Sequence, residues 1–237
     1  MLMKNNNTGK FIIFEGIDGS GKSTQSKLFR KSLEDRGLDV VETSFPQYGK
    51  KSSGLVEEYL SGKYGTSKEV GPYRASIFFA CDRYDASFQI KEWLNAGKIV
   101  IADRYVSSNA GHQGGKMSDP KERTEFLSWL YNLEYNIFKI PRPDMVFILK
   151  TSSQIAQEMS GKVTDEDKKQ KKASFLGNKK RDIHELNLEH LENALNSYLE
   201  LARKFPNHFK VIECLDNKKL LSIDIIHQKI LEEYNKL

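Results

Sequence analysis

Gly16, Gly19 and Gly21 stand around Ile17, Asp18 and Ser20, and Lys22, Ser23 and Thr24 follow directly. The run fits G-x-x-x-x-G-K-[ST], and each position has a physical task in binding polyphosphate. Glycines allow a left-handed φ and let the backbone approach an anion that a Cβ would obstruct. The turning chain aims its N–H groups into one concavity. A helix starting at Lys22 adds its positive dipole end. Lys22 can reach the β- and γ-phosphates, and the Ser23 hydroxyl can ligate Mg²⁺. The competing reading is a glycine-serine turn that merely joins two elements.

A second group follows the apolar run Ile99-Val100-Ile101-Ala102. Asp103 caps that run, where an acid can hold Mg²⁺ beside a phosphate loop; the alternative is a turn or capping aspartate. Arg104 comes next and offers a planar, permanently charged fork for a phosphate; the alternative is a surface salt bridge. Phe79 and Arg83 lie four residues apart on a predicted helix and share a face. One offers a ring to stack on a base, the other offers donors. A core phenylalanine with an outward-reaching arginine has the same spacing. Asp82 is expected to steer Arg83 through an ion pair.

These groups need elements to position them. Phe11-Ile12-Ile13-Phe14 is an apolar run ahead of the loop, as expected of a strand buried on both faces. Residues 22–36 read as a helix with Leu28, Phe29 and Leu33 on one face, stopped by Gly37. Further strands are predicted at Asp39–Ser44, Lys98–Ala102, Asp144–Lys150 and Phe209–Glu213. Helices are predicted at 52–61, 72–96, 120–139, 153–160, 182–204 and 219–235. Such alternation predicts an α/β fold, a doubly wound parallel sheet with helices on both faces. Ligands of these sheets bind outside the carboxyl ends of the strands. There the chain places the glycine loop, then Phe45-Pro46-Gln47-Tyr48, then Asp103-Arg104-Tyr105 running on to Ser108, Asn109, His112 and Gln113.

The 237 residues carry 37 basic and 32 acidic side chains, a net charge of +5. Residues 162–181 hold eight basic and three acidic side chains, which accounts for the whole surplus. The charge therefore sits in one lysine-rich segment without apolar periodicity, expected to be a mobile loop. It forms no stripe over a domain face, which argues against a nucleic-acid partner. No apolar stretch is long enough to span a bilayer, and residues 1–10 lack a signal-like apolar core. Cys81 and Cys214 are expected to be reduced thiols in a cytoplasmic chain. The expected organisation is a disordered tail over 1–9 and one domain over 10–237, with a lid at about 160–181.

Phe14-Glu15-Gly16 through Thr24, Phe45-Pro46-Gln47-Tyr48, Asp82-Arg83 and Asp103-Arg104-Tyr105-Val106-Ser107-Ser108-Asn109 together resemble the thymidylate kinase family. Arg181-Asp182-Ile183-His184-Glu185 resembles that family's lid-to-helix junction. The resemblance runs from about residue 10 to about residue 205. It implies transfer of the γ-phosphoryl group of ATP to dTMP with Mg²⁺, about five parallel strands, and a homodimer formed through helices. It implies that Phe79 stacks on thymine, Arg83 bonds the base edge and Arg104 holds the dTMP phosphate. Asp18 would lie by the acceptor's sugar and phosphate. Ser108, Asn109, His112 and Gln113 would line the sugar and base, and Phe45 and Tyr48 would wall the pocket. A kinase for another nucleoside monophosphate or a deoxynucleoside remains the alternative, since a methyl group contributes only about 1–3 kcal/mol of discrimination. A nucleotide-switched or nucleic-acid-binding phosphate-loop protein is a more distant one. Where some members carry an arginine in the loop, this chain has Gly19, so the lid must supply the catalytic cation. Arg181 is the expected one, with Lys162 as alternate. His112 stands where many members have tyrosine.

Overall fold

A computed structural model describes residues 9–160 and 188–237. Residues 1–8 of the expected tail and nearly all of the expected lid, Lys162 and Arg181 included, lie outside the described residues. Five parallel strands form the predicted sheet: β1 (Lys10–Glu15), β2 (Val40–Ser44), β3 (Ile99–Asp103), β4 (Met145–Lys150) and β5 (Phe209–Glu213). Their order is β2-β3-β1-β4-β5. The helices are α1 (Lys22–Glu34), α2 (Gly54–Leu60), α3 (Ser67–Asn95), α4 (Val106–His112), α5 (Pro120–Tyr131), α6 (Ser153–Ser160), α7 (Leu188–Lys204) and α8 (Ile223–Tyr234).

The two-residue period of the strands sorts the core into two layers. On one face Ile12, Phe14, Ile101 and Phe147 meet Phe29 and Leu33 of α1 and Ile226 and Ile230 of α8. Phe29 is fully buried, with its ring 5.6 Å from Phe14, 6.0 Å from Phe147 and 5.0 Å from Tyr234. Truncating such a side chain to alanine costs about 3–5 kcal/mol. On the other face Phe11, Ile13, Val100 and Ile148 meet Ile90 of α3, Ala110 of α4, Phe126 of α5 and Tyr198 of α7.

Four stretches differ from the predicted elements. Pro72 does start a helix, as read, but a turn capped by Thr66 and Glu69 runs into it across a kink at Gly71. The post-strand segment 106–112, for which no element was expected, forms the short helix α4. Past α5, the predicted helix widens into a π-turn over Asn132–Ile137. The predicted final helix begins later. Residues 215–220 form a hairpin of β6 (Leu215–Asp216) and β7 (Lys219–Leu220), and Ser222 caps α8 by accepting from the Ile225 amide. In two of the four, at Thr66 and at Ser222, side-chain hydrogen bonds to backbone amides set where the helix starts.

Candidate active site

β1 delivers the chain into the glycine loop, and Gly16, Gly19 and Gly21 take φ of +139°, +84° and +91°. The loop ends at Gly21, the N-cap of α1, where no side chain bonds the first turn. The start of α1 thus offers a ligand the positive end of the helix dipole. Lys22 folds back over the loop and donates to the carbonyl oxygens of Gly16 and Ile17, both at 2.9 Å. Burial pushes its pKa down to about 8, and the neighbouring Arg104 adds to that effect. Lys22 is a desolvated cation held next to a concavity of amides, which suits it to receive a polyphosphate. Ser23 is half-buried, Thr24 is exposed, and Ser20 is buried. The Ser20 hydroxyl has no hydrogen-bond partner among the described residues.

Gly19 shows why this loop carries no side chain there. A Cβ at that position would fall 1.8 Å from the carbonyl oxygen of Ala156. The backbone of α6 lies directly against the loop and closes the route an arginine would need.

The residues expected to hold the acceptor begin one strand away. Asp103 is buried at the end of β3, in register with Phe14 of β1 and Ser44 of β2. Arg104 follows with a left-handed φ of +73°, and its amide donates to the Phe14 carbonyl at 3.0 Å. Its guanidinium reaches Asp18 at 2.5 Å, joining the end of β3 to the glycine loop. It also meets His112 Nε2 at 3.0 Å and Ser108 Oγ at 3.5 Å. Burial is the strongest single influence and opposes the charge of Arg104, but Asp18, Tyr198, Asp103 and Glu15 together outweigh it and the pKa ends raised. An arginine cannot accept, so His112 Nε2 must, which leaves Nδ1–H to donate to His190 Nε2 at 3.3 Å.

The remaining expected residues are distributed unevenly. Asn109 is buried, and its amide nitrogen donates to the Ser76 carbonyl. Gln113 is buried and accepts from Lys116 at 2.6 Å. Phe79 and Tyr48 are half-buried in a small aromatic cluster around Tyr59. Phe45 is buried deeper than a pocket wall would be, its ring 5.7 Å from Tyr105 within the main core. The expected Asp82–Arg83 ion pair is corrected. Asp82 accepts from the Gln47 amide at 2.8 Å and from Ser52 Oγ at 2.7 Å, and so holds the loop after β2. Arg83 instead bonds Glu134 through Nε and Nη2. Arg181 and Lys162 lie outside the described residues.

Two carboxylates that carry this arrangement were not singled out in the sequence. Glu15 is fully buried and accepts from the Tyr105 amide, Ser107 Oγ, Ser108 Oγ and the Tyr198 hydroxyl, at 2.8–2.9 Å. It ties the start of the glycine loop to the chain around Arg104 and to α7. Gly111 permits that approach, since a Cβ there would stand 2.5 Å from the Tyr198 ring. The signal for Glu15 was present: an acid closing an otherwise apolar strand must find partners or stay out of the core. Glu134 had no comparable signal, because its position reads as an ordinary helical residue until the π-turn is seen.

Phosphate-loop nucleotide enzymes have this sheet and this loop. An arginine at the end of β3, in contact with the loop's own aspartate, puts a second phosphate-binding group beside the loop. Similarity to known proteins defines the class as that of nucleoside monophosphate kinases. Residues 14–225 match the family model for thymidylate kinase, and the chain belongs to that family, which phosphorylates dTMP to dTDP with ATP. A probable thymidylate kinase of Thermococcus kodakarensis is 34% identical over 229 residues, covering 93% of this chain and 95% of its own. The thymidylate kinase of Desulfotalea psychrophila is 30% identical over 223 residues, covering 94% and 95%. The fold is similar to the solved thymidylate kinase of Candida albicans, with a TM-score of 0.69 over 97% of this chain and 93% of that one at 24% identity.

Proposed function

We propose that the glycine loop, Lys22, Ser23 and Thr24 hold ATP while Arg104 holds the dTMP phosphate, so that transfer runs past Asp18. The observation that carries this reading is the Arg104–Asp18 ion pair, which brings a phosphate-sized cationic fork to the edge of the polyphosphate loop. An oxygen of the dTMP phosphate attacks the γ-phosphorus, the bond to the bridging oxygen breaks, and ADP leaves. No protein nucleophile is required. The chain's contribution is alignment and neutralisation of charge. Phe79, Tyr48, Asn109, Gln113 and His112 surround the base and sugar, and Arg83 addresses the base edge. Because α6 closes Gly19 to any side chain, the catalytic cation comes from the lid, with Arg181 first and Lys162 as alternate.

Ser23 and Asp103 are the residues that would hold Mg²⁺. Their oxygen donors suit it, and a phosphate-bound Mg²⁺ needs only one or two protein ligands. When bound, the ion neutralises charge on the β- and γ-phosphates.

A homodimer through helices is supported by α3. Tyr73, Ile77, Tyr84 and Phe88 recur on one outward face, and Phe88 is 56% exposed. A cytoplasmic setting is supported by two free thiols. The proposal is tested by supplying Mg·ATP with each nucleoside monophosphate in turn and measuring ADP release. Release with dTMP far above the rest is expected; equal release with no acceptor would sink the reading.

A further inference from the structure

Arg83 is 1% exposed, and Glu134, which meets it, is fully buried. The Arg83 Nε bonds both carboxylate oxygens of Glu134, at 3.0 and 3.2 Å, and Nη2 bonds Oε1. Nη1 donates to the Tyr105 carbonyl at 3.4 Å. A guanidinium has five N–H donors. One hydrogen on each terminal nitrogen therefore has no partner among the described residues. A buried donor left unmet costs about 1–3 kcal/mol, so a pair of them at one tip marks a place built to receive an acceptor.

Stability does not account for the ion pair. A buried pair is often no better than well-packed apolar residues of the same volume. Its effect is geometric: the carboxylate fixes one edge of the fork and so decides where the other points. Glu134 reaches Arg83 from the π-turn at Asn132–Ile137, and such turns are frequently found at functional sites. Arg83 lies one helical turn after Phe79, the ring proposed above to stack on the acceptor base.

We propose that Glu134 is a positioning residue for base recognition: it holds one edge of Arg83 so that the two remaining donors face a carbonyl-bearing base edge. That edge belongs to a pyrimidine with a ring carbonyl, as in thymine. An exocyclic amine at the same position, as in cytosine, would set donor against donor. This inference rests on the reading that Arg83 addresses the acceptor base. Burial opposes the charge of Arg83, but Glu134, with smaller help from Tyr105 and Asp82, leaves the pKa raised, so the fork stays a donor throughout the working pH range.

The test compares dTMP with dCMP as acceptors in Glu134→Gln, Glu134→Asp and Arg83→Ala. Glutamine keeps the shape of Glu134 but presents an amide nitrogen to one guanidinium donor. We expect the KM for dTMP to rise about tenfold, the worth of one hydrogen bond. The KM for ATP should hold, and the preference for dTMP over dCMP should fall by about the same factor. Glu134→Asp should recover part of the preference, and it supplies the comparison if the glutamine variant does not fold. Adding Glu134→Gln to Arg83→Ala should cost no further selectivity, because the two residues act as a unit. An equal fall in activity on both acceptors, or a preference that survives in both Glu134 variants, would overturn the proposal. If Arg83→Ala itself leaves dTMP affinity unchanged, it is the underlying reading of Arg83 that fails.

Discussion

The proposed donor and acceptor sides of this active site are built by opposite means. Nine consecutive residues, Gly16 to Thr24, make the donor side, and its geometry follows from three glycines with positive φ and an uncapped helix start. The acceptor side is assembled from the end of β3, from α3, α4 and α7, and from the π-turn after α5. Its cations are held by acids far away in the chain, Arg104 by Asp18 and Arg83 by Glu134. Backbone conformation can be specified locally by residue type. Direction of a long, flexible side chain cannot, and requires partners supplied by the fold.

The sharpest way to break this contrast is Lys22→Ala. If the donor side is locally specified, the variant keeps its fold and loses about a hundred- to thousandfold in kcat, the usual cost of removing one charge-stabilising group. Steady-state kinetics beside a thermal melt would show both. A large fall in Tm would mean that the loop depends on Lys22 and its carbonyl contacts.

Glu15→Gln probes the junction of the two sides. An amide keeps one oxygen acceptor and turns a donor toward two of the four donors present. The hydroxyls on that side must reverse their roles or be left unmet, while the Tyr105 amide on the other oxygen cannot reverse. We expect about 1–3 kcal/mol of destabilisation. We also expect a KM for dTMP raised more than that for ATP, because Glu15 supports the Arg104 segment. Equal effects on both substrates would show that the two sides are not separable at this residue.

The smallest effect concerns two buried lysines. Among the described residues Lys116 bonds only neutral oxygens, the Tyr59 hydroxyl and Gln113 Oε1, and burial pushes its pKa down to about 7. Lys22 is lowered less, to about 8. Between each folded value and the unfolded one near 10.5, the unfolded chain binds the extra proton, so stability rises with pH there. Below the folded value both states are protonated and the burial cost is constant. Lys116→Met should therefore lose a pH-dependent gain that begins near pH 7, measurable as urea midpoints of variant and parent at pH 6.5 and 9. Parallel curves would contradict the neutral, desolvated environment assigned to Lys116.

Much of the architecture was readable in advance. All five strands were found to within a residue or two at each end, because Phe11–Phe14, Ile99–Ala102 and Met145–Leu149 are apolar runs that only a sheet covered on both faces would bury. The turns were less readable. A helical pattern through residues 120–139 gives no notice that residues 132–137 widen, and nothing in Val106–His112 separates a short helix from a loop. Asp82 was matched to Arg83 because they are adjacent in sequence, and neighbours on a helix do not face each other.

By itself the sequence determined the phosphate loop, the sheet that presents it, the acid and arginine after β3, and the family. These are set by backbone-permissive glycines, by two-residue periodicity and by the order of motifs. Tertiary structure alone decided which acid holds which cation: Asp18 for Arg104, Glu134 for Arg83, and Glu15 for the segment around both. It also decided that Gly19 has no room for a side chain, since the obstructing carbonyl belongs to α6. The physical reason is the same throughout. Periodicity and φ are properties of adjacent residues, whereas the partner of a buried charge is whatever the fold brings within hydrogen-bond reach.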